Sequence, residues 1–146
     1  MTALTVAAET TTAVLTGLFF TFSAVVMPAL AKRPPAEAAD TMRQLNRTIV
    51  NPLFLLAFLG APITAAAVAV VGEFALLPTI AAVLVVGGML AVTAMVNVPM
   101  NNALEASDPA TTAGQELWSG YLRRWTAWNH LRTVACLGAT VLYAMA

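Results

Sequence analysis

Four apolar stretches, at about 5–28, 52–72, 74–97 and 125–146, take up most of this chain. Each is close to the ~20 residues a helix needs to cross a bilayer. Hydrocarbon offers no partner for a backbone N–H or C=O, so segments of this kind must pair those groups internally, and helices do so. The composition agrees: 60% of the residues are hydrophobic and 10% charged, whereas soluble domains carry roughly a quarter charged residues. The expected fold is all-α, an integral membrane four-helix bundle in which residues 1–146 form a single membrane domain. MTALTVAAET lacks Lys and Arg and leads into a long apolar stretch, so the first segment is expected to be a retained span, not a cleaved signal.

Local backbone chemistry sets the boundaries. Proline cannot continue the helical ladder, so Met27-Pro28 is expected to close span one. Asn51-Pro52 is an N-cap followed by a proline at the first helical position and opens span two. Gly72-Glu73 leaves room only for a tight hairpin between spans two and three. Between spans one and two, Ala38, Met42, Leu45 and Ile49 fall at helical spacing, which predicts a short amphipathic helix at the interface. Ser107-Asp108-Pro109 reads as the start of a helical extension that runs into span four. Gly114 and Gly120 should weaken it locally.

Lys32, Arg33, Arg43, Arg47, Arg123 and Arg124 lie in the two longer connections. The positive-inside rule then puts both connections in the cytoplasm and both termini outside, as expected for a multi-pass protein of the plasma membrane. Basic and acidic residues balance at seven each, which removes the electrostatic case for nucleic acid. Cys136 has no second cysteine to pair with and is expected to be a buried filler. One histidine cannot supply a bis-histidine haem or a di-iron shell, and no phosphate loop, dinucleotide fingerprint or nucleophile elbow is present. No metal or cofactor site is therefore expected. Gly60 with Thr64 and Gly87 with Ala91 form small-xxx-small pairs able to pack within a bundle or in a homo-oligomer.

Polar residues gather at the cytoplasmic ends of the spans: Ser23, Asn46, Asn51, Asn97, Asn101, Asn102, Asn129, His130 and Arg132. Ionisable groups at membrane depth usually face a bundle interior, so His130 and Arg132 are candidate site residues. On a helical wheel Arg132, Trp125, Cys136, Asn129, Thr133, Thr126 and His130 share one arc, with His130 and Arg132 near opposite edges, placed to flank a ligand. Thr93, Asn97 and Asn101 share a face of span three, and Pro99 is expected to kink or end that helix. Trp118, Tyr121, Arg123 and Arg124 are explained by the membrane interface. In span one, Glu9, Thr12, Thr16 and Ser23 form a stripe beside Phe19 and Phe20.

GLFFTFSAVVMPAL at 17–30, Asn46 with NPLF at 51–54, NVPMNNAL at 97–104 and WTAWNHLRT at 125–133 together resemble the anthrone oxygenase family of small four-helix membrane proteins. The resemblance implies oxidation of an anthrone to an anthraquinone by molecular oxygen without a cofactor. It implies His130 as a buried, neutral base and Arg132, Asn97 and Asn129 as donors to oxyanion and carbonyl. Trp125 and Tyr121 would be flat walls, and Asn101, Thr133, Phe20 and Ser23 would complete a substrate pocket near the cytoplasmic face. Expected partners are a hydrophobic small molecule and the lipid bilayer. Two other readings use the same residues: a non-enzymatic carrier of a planar molecule such as a quinone or polyketide, and a small accessory membrane subunit.

Overall fold

The computed structural model describes residues 2–146, and these form helices joined by short turns. Helix α1 spans Ala3–Leu30, α2 Pro35–Ile49, α3 Pro52–Val71, α4 Leu76–Ala106 and α5 Thr112–Ala144. Helices α1, α3 and α4 are long and apolar enough to cross a membrane. The four long helices close into a ring in the order α1, α3, α4, α5, each packing on two neighbours. The amphipathic α2 lies across the end of α4 and the first half of α5, with Ala38, Ala39 and Met42 buried beneath it.

Several boundaries follow the sequence. Asn51 caps α3, its side chain accepting from the Phe54 N–H at 3.0 Å. The hairpin after Val71 turns through Glu73 and Phe74, both left-handed at φ 49° and 57°.

The prolines of α1 and α4 behave otherwise than expected. Neither Pro28 nor Pro99 ends its helix; α1 continues to Leu30 and α4 to Ala106. A π-helical turn precedes each, Phe22–Val26 in α1 and Thr93–Asn97 in α4. The residue before each proline donates one position further back than in an α-helix, Met27 to Phe22 O and Val98 to Thr93 O. The wider turn draws the preceding carbonyls away from the proline ring and so absorbs the clash that would otherwise break the helix.

The start of α5 also moves. Asp108 forms an Asx turn, accepting from the Ala110 N–H at 3.0 Å, and Thr111 is the N-cap, accepting from the Gly114 N–H at 3.1 Å. Gly114 does not merely weaken the segment: a Cβ there would lie 1.9 Å from the Asp108 carbonyl oxygen, so the turn requires glycine.

Two apolar clusters fill the ring. One joins Ala8, Leu15 and Phe19 of α1 to Ala61 and Ala65 of α3, Val85 and Met89 of α4, and Cys136 and Tyr143 of α5. The other joins Phe22 and Met27 to the buried face of α2, Leu104 and the aromatic residues Trp118, Tyr121 and Trp125. Between them lie buried polar residues: Ser23 on α1, Thr93 and Asn97 on α4, and Asn129, Arg132 and Thr133 on α5. Gly88 lets α4 and α5 meet closely, since a Cβ there would fall 2.5 Å from that of Ala135.

Arg47 and Arg43 of α2 both pair with Glu105 at the end of α4, tying α2 down. The hydrogen bond from Arg47 holds the Glu105 carboxyl below the ordinary carboxylate range. A depressed folded-state value means the tie is present above the ordinary carboxylate pKa and is lost as pH falls through the lowered one. Amide exchange in α2 should therefore speed up as pH is lowered through that window, after correction for intrinsic rates, and Glu105→Gln should show the faster exchange at neutral pH. An α2 equally protected in both proteins at every pH would show that the tie has no role.

Candidate functional site

Arg132 is 5% exposed, and its guanidinium is held from several sides. It donates through Nη2 to Asn129 Oδ1 at 2.7 Å and through Nη1 to Thr93 Oγ1 at 3.1 Å. The Phe19 ring lies 4.3 Å from its central carbon and the Trp125 ring 5.3 Å, a cation–π sandwich that suits a desolvated arginine. Asn129 is itself fixed, donating to Phe19 O at 2.8 Å and to Ser23 Oγ at 2.7 Å. One chain of hydrogen bonds thus runs from α1 through α5 to α4. Arg132 Nε has no partner.

Beside the guanidinium is a cavity of about 240 Å³, near the small end of the ~300–1,000 Å³ that ligand pockets occupy. Arg132, Thr93, Asn97, Asn101 and Asn46 form its polar part; Phe19, Phe22, Phe54, Phe58 and Trp125 supply aromatic walls. Phe54 and Phe58 stack at 5.3 Å. Asn97 is 1% exposed, yet neither its Oδ1 nor its Nδ2 has a hydrogen-bond partner. Buried amides are nearly always paired, and an orphaned one on a cavity wall marks a place where a ligand or solvent completes the bonding.

A second polar group sits above. Asn101 Oδ1 accepts from Tyr121 Oη at 2.8 Å and Trp125 Nε1 at 2.9 Å, and Asn46 Nδ2 donates to Tyr121 Oη at 3.4 Å. With its oxygen committed to two donors, Asn101 can offer only its NH₂ elsewhere. Trp118, Tyr121 and Trp125 stack in a column, with centroid separations of 5.6 and 6.0 Å. All three are at most 4% exposed. Trp118 and Tyr121 are therefore core residues under α2, which corrects their assignment to an interfacial belt; Trp128 is the tryptophan that stays exposed.

The expected constellation is thus only partly assembled. Arg132, Asn97, Asn101 and Trp125 meet at the cavity. Asn129 stands behind Arg132 instead of facing a ligand, and Tyr121 acts through Asn101. Ser23 and Thr133 are buried at the seam of α1 and α5, 3.5 Å apart, outside the cavity. His130 and Phe20 are exposed and border a shallow groove on the outer side of that seam. Neither the burial expected of His130 nor its position opposite Arg132 across a ligand is observed. The wheel arc was too wide: α1 closes over its middle at Asn129 and Thr133, which leaves the two edges on opposite faces of the seam. Sequence reasoning passed over the Phe54 and Phe58 walls, although their i, i+4 spacing was readable, and it gave Phe22 no part.

The sequence model of the anthrone oxygenase family matches residues 39–142. The chain belongs to the anthrone oxygenase family. That span takes in α2 to α5, including Asn97, Asn101, Trp125 and Arg132. No curated protein and no solved structure matches the chain. In this family member, among the described residues, no three His, Cys, Asp or Glu side chains gather as a metal site would require.

Two asparagines should separate by stability. Asn129→Leu strips Arg132 and Ser23 of a partner at once and should cost about 1–3 kcal/mol, the usual penalty for an orphaned buried polar group. Asn97→Leu removes an amide that has no partner in the protein and should leave Tm unchanged or raised. Thermal unfolding of both variants in detergent checks this; a loss at Asn97 as large as at Asn129 would mean that Asn97 is structural.

Proposed function

We propose that this chain is a four-span membrane oxygenase that converts a planar aromatic ketone of the anthrone type to a quinone with O₂, needing no cofactor. The family supports the reaction class. The carrying observation is the orphaned Asn97 amide next to Arg132 on the wall of an aromatic cavity. In this reading α5 is the fourth span, both termini are outside the plasma membrane, and the connection of Lys32 and Arg33 with α2 and its Arg43 and Arg47 lies on the cytoplasmic side.

The chemistry needs little from the protein. An anthrone carries an acidic CH₂ conjugated with its carbonyl, and loss of one proton to water gives an aromatic enolate. Arg132 Nε and Asn97 Nδ2, both without a partner in the protein, would donate to the enolate oxygen, so that binding favours the anion over the ketone. The enolate passes one electron to O₂, giving superoxide and a carbon radical. These combine through a C–O bond to a peroxide, which takes up a proton and then loses its remaining C–H and its O–O bond as water. The sum is anthrone plus O₂ giving anthraquinone plus water. Phe54, Phe58 and Trp125 sandwich the rings, and the apolar walls suit a small apolar gas.

No imidazole or carboxylate lines the cavity. His130 is therefore not placed as the base in this proposal, and acidity must come from stabilising the product anion. The same lack favours, as a second reading, a carrier that binds the planar molecule without turning it over. Oxygen uptake by the purified protein with anthrone separates the two. The oxygenase reading expects Asn97→Leu and Arg132→Met each to lower kcat/KM by about 10²–10³, the cost of one oxyanion donor, and His130→Ala to retain wild-type turnover. Stoichiometric binding of anthrone without oxygen uptake would establish the carrier, and full activity in both cavity variants would remove the cavity from the mechanism.

A further inference from the structure

We propose that the cavity is loaded sideways from the lipid phase, through a portal between α3 and α4 framed by Val50, Leu55 and Val98. The proposal rests on this cavity being the ligand site, but not on its turning the ligand over.

The residues that line the cavity and also reach the protein surface are the first argument. Val50 is 61% exposed, Leu55 38% and Val98 42%, whereas Asn97 and Arg132 are at most 5% exposed. The most exposed part of the lining is therefore apolar and Asn97 and Arg132 lie deep, while the other two asparagines of the lining, Asn46 and Asn101, are half-buried. The surface continues outward in kind, with Leu53, Leu56 and Met95 each at least 70% exposed. Such a surface faces hydrocarbon more readily than water.

Depth gives the second argument. Val98 lies 22 residues beyond Leu76, the first residue of α4, so at the α-helical 1.5 Å per residue it stands at most about 33 Å along the helix, somewhat less for the wide turns over Leu84–Ala91 and Thr93–Asn97. A hydrocarbon core is roughly 30 Å thick. The portal then sits where acyl chains meet headgroups, the depth at which a flat molecule with an apolar body and a carbonyl end comes to rest. The third argument is closure of the other route. On the α2 side the cavity is bounded by Trp125, Asn101, Asn46 and Ile49, with both asparagines tied to the Tyr121 hydroxyl, and α2 packs over Trp118 and Tyr121 with Ala38, Ala39 and Met42 at most 1% exposed. A ligand moving in from the bilayer passes the Phe54 and Phe58 rings and meets Asn97 and Arg132 with its carbonyl end.

Two measurements test the portal. Nitroxides attached at Val98→Cys and at Leu55→Cys, in phosphatidylcholine nanodiscs, should collide with O₂ far more than with a water-soluble nickel chelate; the opposite ratio at both positions overturns lateral entry. Stopped-flow quenching of tryptophan fluorescence by anthrone in the same nanodiscs then reads the path. Leu55→Trp and Val98→Trp should slow association by roughly tenfold or more and slow dissociation as well. Leu56→Trp, outside the cavity, should bind at the wild-type rate. Wild-type rates in both portal variants would overturn the proposal. Slowed binding in a protein that consumes no oxygen would support the portal while refuting the oxygenase.

Discussion

A guanidinium buried between two apolar clusters is the constraint around which the rest is arranged. Ionised groups at membrane depth are expensive and persist only when paired or hydrogen-bonded. Arg132 meets that condition without any carboxylate: two hydrogen bonds and two aromatic faces replace its hydration. The partners come from α1, α4 and α5, so the charge cannot be accommodated until those helices have docked. Breaking such a network leaves an uncompensated charge, a far larger penalty than loss of a surface pair. The polar layer thus fixes the register of three helices whose apolar faces alone would allow sliding.

The π-helical turns that precede Pro28 and Pro99 belong to the same arrangement. Phe22–Val26 carries Ser23, which accepts from Asn129, and Thr93–Asn97 carries both Thr93, which accepts from Arg132, and the unpartnered Asn97. Each wide turn shifts the side chains beyond it around the axis relative to a regular helix. The wide turns that accommodate Pro28 and Pro99 are thus the same turns that carry Ser23, Thr93 and Asn97. The close contact of Gly88 with Ala135 brings α4 near enough for Thr93 to reach the guanidinium.

How far this could be read from the sequence depends on which interactions were local. The Asn51 cap, the Gly72-Glu73 hairpin and the buried face of α2 follow from neighbouring residues and were legible. The common face of Thr93, Asn97 and Asn101 was legible as well, because even the π-helical turn keeps them on one side of α4. Pro28 was misread as a stop, and of the kink or end expected at Pro99 the end did not occur, because the wide turn before each proline depends on packing, which no local rule encodes. His130 was misplaced for a similar reason. A wheel ranks residues by angle but cannot say where a neighbouring helix will close over the arc, and α1 covers Asn129 and Thr133 while leaving His130 outside. Trp118 and Tyr121 were read as interfacial because their stripe is the same whether it faces headgroups or the underside of α2.

A cavity that offers hydrogen-bond donors but no base limits what it can activate. Donors lower the free energy of an enolate by binding its oxygen, yet they cannot remove a proton from a weak carbon acid at a useful rate. On the proposed reaction the substrate must therefore bring most of the acidity itself, as a CH₂ flanked by two aromatic rings and conjugated with a carbonyl does. An ordinary aliphatic ketone bound in the same place would stay protonated and inert toward O₂. Selectivity would then lie in the carbon acid as much as in the shape of the walls. On that reading the burial of Arg132 would serve this end, since a guanidinium removed from water would act on the enolate oxygen through a lower local dielectric than the same group at the surface.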